Sequence, residues 1–172
     1  DEYHERVNND AYTNRMAKFV FETAADVLRN LPKKEPRLAA TLAETYDLEE
    51  LLRSFTDCAQ RLYQPQPDPE TGVIEQFDGY FHLEDASLVA VRSRLKDPRE
   101  YWGGSHGVAG PTQINKQADV VAMLSLFPSD WPERVLAANL AYYGPRTEHG
   151  SSLSACMFAL CACLTGKPDQ AY

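Results

Sequence analysis

Arg146-Thr147-Glu148-His149-Gly150-Ser151-Ser152 leads into Leu153-Ser154-Ala155-Cys156-Met157-Phe158-Ala159-Leu160-Cys161-Ala162-Cys163-Leu164. The second segment is apolar all round, with Ser154 alone interrupting it. A helix of that kind is covered on every side. The pattern predicts a buried helix over Ser151–Thr165, capped by Ser151 and stopped by Gly166 and Pro168. Along the chain helices alternate with loops and little convincing strand appears, so the fold class is all-α, with layered helices as in an α/α barrel. The first segment offers Gly150, where a backbone can approach a ligand closely. His149 and the hydroxyls of Ser151 and Ser152 stand beside the helix's unpaired N–H groups and positive dipole end. That suits an anion such as phosphate. A plain N-cap at Ser151 explains the spacing equally well.

Outward from there, Gln113–Phe127 reads as a helix. A second one is capped by Ser129 or Asp130, has Pro132 in its first turn and ends near Tyr142. Asp85–Leu95 is also helical in pattern. Ala11–Asn30 repeats Met16, Phe19, Val20, Ala24, Val27 and Leu28 mostly at three- and four-residue spacing, and Leu31-Pro32 should break it. A short helix is expected over Leu38–Glu44, and Asp47 caps another over Leu48–Tyr63. Gln64–Gly72 and Lys96–Pro111 are loops. His106, in the second of them, is assigned no role. Val73–Phe81 is a strand or an ordered loop, and Asp169–Tyr172 reads as the start of a further helix.

The chain has 172 residues, 44% of them apolar and 24% charged, which is enough for one domain with a real core. Its net charge of −8 counts against a nucleic-acid partner. No apolar run reaches the roughly 18 residues of a membrane span. There is no initiator Met and no basic or apolar signal region. The four cysteines, Cys58, Cys156, Cys161 and Cys163, read as unpaired small apolar groups, three of them in the buried helix. A cytoplasmic protein is therefore expected. Cys161 and Cys163 have neither redox nor zinc spacing, and His4-Glu5 lacks a second His four residues on, so no metal site is expected.

Two further clusters could carry chemistry. Asp1-Glu2-Tyr3-His4-Glu5 precedes a helix, where a carboxylic acid at a barrel rim could protonate a leaving oxygen. A solvated, frayed chain end fits the spacing too. Lys116-Gln117, at a predicted helix start with Asp119 nearby, could hold sugar hydroxyls or be an exposed first turn. No Gly-x-Ser-x-Gly elbow occurs, which counts against a nucleophilic serine.

Four segments occur in order: Asp1 to Asn14 (beginning Asp-Glu-Tyr-His-Glu), Gln76-Phe77-Asp78-Gly79-Tyr80-Phe81, Lys116-Gln117-Ala118-Asp119-Val120-Val121, and Tyr142-Tyr143-Gly144-Pro145-Arg146-Thr147-Glu148-His149-Gly150-Ser151-Ser152-Leu153-Ser154. Together they resemble glycoside hydrolase family 65, the maltose, trehalose and kojibiose phosphorylases. The resemblance implies an (α/α)6 barrel of which residues 1–172 are roughly the later half. This would be a partial catalytic domain without the family's N-terminal β-sandwich, early barrel helices or C-terminal β-domain.

The resemblance also implies inverting phosphorolysis of an α-linked glucose disaccharide, of maltose, kojibiose or trehalose type. Inorganic phosphate is the co-substrate, no cofactor is needed, and β-glucose 1-phosphate is the product. Glu2 matches the general acid. Lys116 and Gln117 match the positions that hold the glucosyl unit. His149, Ser151 and Ser152 match the phosphate-binding turn. The chemistry is coherent: an inverting glycosidase needs an acid and a base, whereas phosphate is already an anionic nucleophile and needs only a site opposite the acid. Glu2 is expected to carry a raised pKa so that it stays protonated near neutral pH.

Gly144 stands where many members of the family have a glutamate, which resembles a catalytic carboxylate in the hydrolytic branch. This counts against the alternative of an α-glucoside hydrolase. Gly150, where an acidic residue is common, and Asp10, where an asparagine is common, are milder departures. A third reading is a helical module without chemistry of its own. The 172 residues by themselves are expected to show no turnover. They should also associate with each other or with the rest of a parent chain through uncovered apolar helix faces.

Overall fold

A computed structural model describes residues 2–171. Asp1 of the expected acid motif and Tyr172 of the expected last helix lie outside the described residues. The helices are α1 (Ala11–Lys34), α2 (Pro36–Ala43), α3 (Leu48–Arg61), α4 (Leu88–Arg92), α5 (Asp119–Leu126), α6 (Glu133–Tyr143) and α7 (Ser152–Leu164). Among the described residues β-pairing is confined to isolated bridges, Pro67 with Ile74, Glu84 with Thr112 and Asn115 with Thr147. The all-α expectation holds. No helix among these residues is long and apolar enough to cross a membrane.

The described residues divide into two compact units, 13–64 on the one hand and those of 1–12 with 65–172 on the other. In the first, Phe21 meets Phe55 at 6.0 Å between ring centroids, and Ala25, Leu31, Ala39 and Ala59 are buried. Asp47 caps α3 by accepting from the Glu50 N–H at 2.9 Å. The expected break at Leu31-Pro32 does not occur, and α1 runs through Pro32 to Lys34. The proline removes one backbone bond and crowds the carbonyl four residues back, but it lies in the helix's last turn, which still closes because the Glu35 N–H donates to the Leu31 carbonyl at 2.8 Å. α2 begins earlier than expected, at Pro36, where a missing donor costs nothing.

In the second unit α5, α6 and α7 pack around Val120, Val121, Met123, Leu124, Val135, Leu136 and Cys161. Tyr80 and Tyr143, both fully buried, lie 5.8 Å apart beside them. Each phenol is satisfied: Tyr143 donates to the Ile74 carbonyl at 2.6 Å and Tyr80 to the Gln113 carbonyl at 2.6 Å. Val73–Phe81 is accordingly an ordered loop, ending in a 3-10 turn at Tyr80–His82.

Several expectations for this unit are corrected. The helix expected over Gln113–Phe127 starts only at Asp119, and residues 113–118 are bent and non-helical, because backbone groups of Asn115 and Lys116 pair with the distant segment 146–150. The Asp85–Leu95 helix shrinks to α4, capped by Ser87. α6 starts after Pro132 rather than at a Ser129 or Asp130 cap, since 128–130 form a 3-10 turn of their own. Residues 168–170 form a 3-10 turn, where the start of a helix was expected.

α7 is not covered all round. Ser154, Cys161 and Ala162 are buried, but Leu153 is 68% exposed and Leu160, Leu164, Cys156 and Cys163 are exposed too. α5 and α6 cover only one of its sides, so the buried-cysteine expectation holds in α7 for Cys161 alone.

Candidate active site

The segment 113–118 runs parallel to the turn at 146–150. The Asn115 N–H donates to the Arg146 carbonyl at 2.8 Å, the Glu148 N–H to the Asn115 carbonyl at 2.8 Å, and the Gly150 N–H to the Lys116 carbonyl at 3.1 Å. This short ladder sets Lys116-Gln117 beside His149-Gly150-Ser151. Asn115 is fully buried and anchors it. Its amide donates to the Tyr80 hydroxyl at 2.9 Å, and its Oδ1 accepts from Gln76 Nε2 at 2.8 Å.

The N-terminal segment docks against the same place. A His4 ring nitrogen lies 2.7 Å from the Thr112 carbonyl, and the Tyr3 hydroxyl donates to Glu148 Oε2 at 3.0 Å. Tyr3 stacks on Trp102, and the Tyr101 hydroxyl donates to the Glu2 carbonyl at 2.9 Å. Tyr3 and His4 are buried, so this is no frayed end. Glu2 Oε2 lies 2.7 Å from Lys116 Nζ, and that bond raises the lysine's pKa above its usual range.

Gly103 makes the docking of Tyr3 possible, because a Cβ there would sit 2.7 Å from the Tyr3 Cα, inside contact distance. Gly103→Ala must push the Glu2-Tyr3 backbone away. Undocking of residues 2–5 with the rest of the fold unchanged by circular dichroism is expected, read as faster limited proteolysis at this segment, and wild-type cleavage rates would show the contact to be slack.

Glu2, Tyr12, Gln117, Asp119, Ser151 and Ser154 line one cavity of about 230 Å³. Gln117 Oε1 is buried and has no hydrogen-bond partner among the described residues, so it is an acceptor ready for a donor in that cavity. His149 has a left-handed backbone, with φ at 60°, and its Nδ1 lies 2.8 Å from Ser154 Oγ. Burial holds its imidazole below the usual range, with Glu148 pulling the other way. Gly150 leaves room for the Glu148 carboxylate: a Cβ there would fall 2.1 Å from Glu148 Oε2 and 3.2 Å from Lys116 Cγ, so a larger residue would make that side chain swing aside. The Ser151 cap on the Leu153 N–H is long at 3.4 Å.

Of the residues singled out from sequence, Glu2, Gln117 and Ser151 therefore share the cavity. Lys116 joins through its ion pair and His149 through Ser154. Ser152 is exposed, opens α7, and is not among the cavity's lining residues. Tyr101, Glu148 and Ser154 went unnoticed. The nearest sequence signals were the glycines after Trp102, which mark a close backbone approach, and a serine placed one turn inside α7.

Across residues 1–172 the chain matches the family described as the glycosyl hydrolase family 65 central catalytic domain. It is 55% identical to the nigerose phosphorylase of Lachnoclostridium phytofermentans, over all of this chain and 23% of that protein. It is 38% identical to the 1,2-alpha-glucosylglycerol phosphorylase of Bacillus selenitireducens, and 33% identical to the kojibiose phosphorylase of Caldanaerobacter subterraneus subsp. tengcongensis, covering 22% of each. A solved structure from the human microbiome, assigned as a kojibiose phosphorylase, superposes with a TM-score of 0.78 at 28% identity, over 99% of this chain and 22% of that one. The chain thus spans less than a quarter of the length of the relatives it matches. Its helices are part of the (α/α)6 barrel that the resemblance implied. The family is shown over the chain's whole length: this chain belongs to glycosyl hydrolase family 65, within its central catalytic domain.

Proposed function

We propose that the chain forms the later part of the barrel and one wall of the active site in an inverting disaccharide phosphorylase. The cavity shared by Glu2, Gln117 and Ser151 carries this reading, because an acid, a sugar-binding amide and an anion-binding helix start then meet in one place. Phosphate, held by His149, Ser151 and Ser152, attacks the glucosyl carbon. The glycosidic bond breaks, and Glu2, drawn off Lys116 by the bound substrate and entering the step as the carboxylic acid, gives its proton to the departing oxygen. Lys116 and the unpartnered Gln117 Oε1 hold the glucosyl hydroxyls. A substrate atom reaching Glu2 has to compete with Lys116 for it. The products are β-glucose 1-phosphate and a released sugar. The exposed side of α7 faces the remainder of the parent domain, consistent with the small share of its relatives that the chain covers.

The relative at 55% identity favours nigerose among glucose disaccharides. The test is to incubate the full-length protein with nigerose, kojibiose, maltose and trehalose, with and without inorganic phosphate. β-Glucose 1-phosphate should appear only with phosphate, fastest from nigerose. Equal glucose release without phosphate would make the protein a hydrolase and overturn the proposal.

A further inference from the structure

Ser154 lies at the third helical position of α7 and is 3% exposed. Among the described residues its hydroxyl oxygen has one hydrogen-bond partner, His149 Nδ1, at 2.8 Å. No main-chain carbonyl receives its proton, although serines inside helices commonly bond back one turn. A buried hydroxyl gives its proton to the acceptor it has, so Nδ1 accepts. In a neutral imidazole the remaining proton is then on Nε2. Phe158 fixes the ring from one side, edge to face at 4.8 Å.

We propose that Ser154 is a positioning residue that locks His149 as the Nε2–H tautomer, so that the turn offers phosphate a neutral imidazole donor. The proposal rests on reading the turn as the phosphate site. Its chemical sense is direct. An imidazolium next to phosphate could protonate the nucleophile and blunt its attack, whereas a neutral Nε2–H only orients it.

The surrounding charges allow this. Glu148, on the same turn, is the charged group that acts on the ring, and its carboxylate is already bonded by Tyr3. Lys116 and Glu2, across from Gly150, satisfy each other. Asp119, from α5, shares the cavity wall with Ser154. Burial outweighs Glu148 and keeps the ring neutral.

The experiment measures kcat/KM for inorganic phosphate against pH in the full-length protein, for wild type, Ser154→Ala, Ser154→Thr, His149→Gln, His149→Asn and His149→Ala. Taking the ratio of variant to wild type at each pH cancels the titration of phosphate itself. Ser154→Ala should lower the value about tenfold, the worth of one hydrogen bond. Its ratio should also fall further on the acid side, because Nδ1 no longer accepts the hydroxyl's hydrogen bond that favours the neutral ring. Ser154→Thr should restore a flat ratio. His149→Gln, whose amide donor stands in for Nε2–H, should exceed His149→Asn, whose donor stands in for Nδ1–H.

A flat, undiminished ratio for Ser154→Ala, or Asn equal to or better than Gln, overturns the tautomer assignment. If His149→Ala leaves the KM for phosphate unchanged, the phosphate reading of the turn falls instead, and this inference with it. The Gln and Asn pair decides the matter even if Ser154→Ala folds poorly.

Discussion

Glu2→Gln in the full-length protein is expected to lower kcat for phosphorolysis of a disaccharide by about 10²–10⁴, the range that general acid catalysis supplies. The amide matches the carboxyl in size and leaves the Tyr101 bond to the residue 2 carbonyl in place, so the segment stays docked. It cannot give up a proton, and the sugar oxygen must then leave as an alkoxide. The disaccharide KM should change little, because the proposed reading gives the glucosyl unit to Lys116 and Gln117 rather than to Glu2. A substrate whose leaving group needs no proton separates this from misfolding: with α-glucosyl fluoride the variant should recover most of the wild-type rate. A kcat above a tenth of wild type on the disaccharide, or no recovery with the fluoride, would remove Glu2 from the acid role.

The second large effect is on stability. Asn115→Leu should destabilise the fold by about 3–5 kcal/mol. An unsatisfied buried polar group costs about 1–3 kcal/mol, and neighbouring losses do not simply add. Leucine is similar in volume but bonds nothing. It strips the Gln76 amide of its Nε2 bond to Asn115, and Gln76 Oε1 already lacks a partner, so the whole amide would be orphaned in a fully buried place. The Tyr80 hydroxyl loses its donor as well. Denaturant melting reads the effect as a lower midpoint. The same substitution should raise the disaccharide KM, because Asn115 holds the ladder that carries Lys116. An unchanged midpoint would show that Asn115 is a spectator.

The helices that could be read from sequence are those whose signals are local. Asp47 announces α3 and bonds the third residue on, and Ser151 and Gly166 bracket α7. Gln113–Ala118 misleads because Ile114, Ala118 and Val121 recur at helical spacing, while the residues that keep its first part out of the helix lie at 146–150. The coverage of α7 was overstated for a related reason. An apolar sequence shows that a face wants cover, not that the cover lies within the same segment.

For the site, spacing left each cluster with an ordinary explanation, and the family resemblance brought Glu2, Lys116, Gln117, His149 and Ser151 together. Tyr101, Glu148 and Ser154 were visible by neither route. Their roles depend on hydrogen bonds across 99 residues for Tyr101 and 145 for Glu148, and on the direction of one hydroxyl for Ser154.

Those separations bear on how the protein is made. Glu2 meets Lys116 across 114 residues, His4 meets Thr112 across 108 and Tyr3 meets Glu148 across 145. Contacts so distant in the chain form late, since loop closure has to be met before they return anything. At a synthesis rate of about 5–20 residues per second, Tyr3 waits about 7 to 30 seconds before Glu148 is even polymerised. The pocket around Glu2 is therefore among the last structures to close during biosynthesis. In that interval residues 2–5 are open to proteases and chaperones, and once residues 146–150 are in place they are locked.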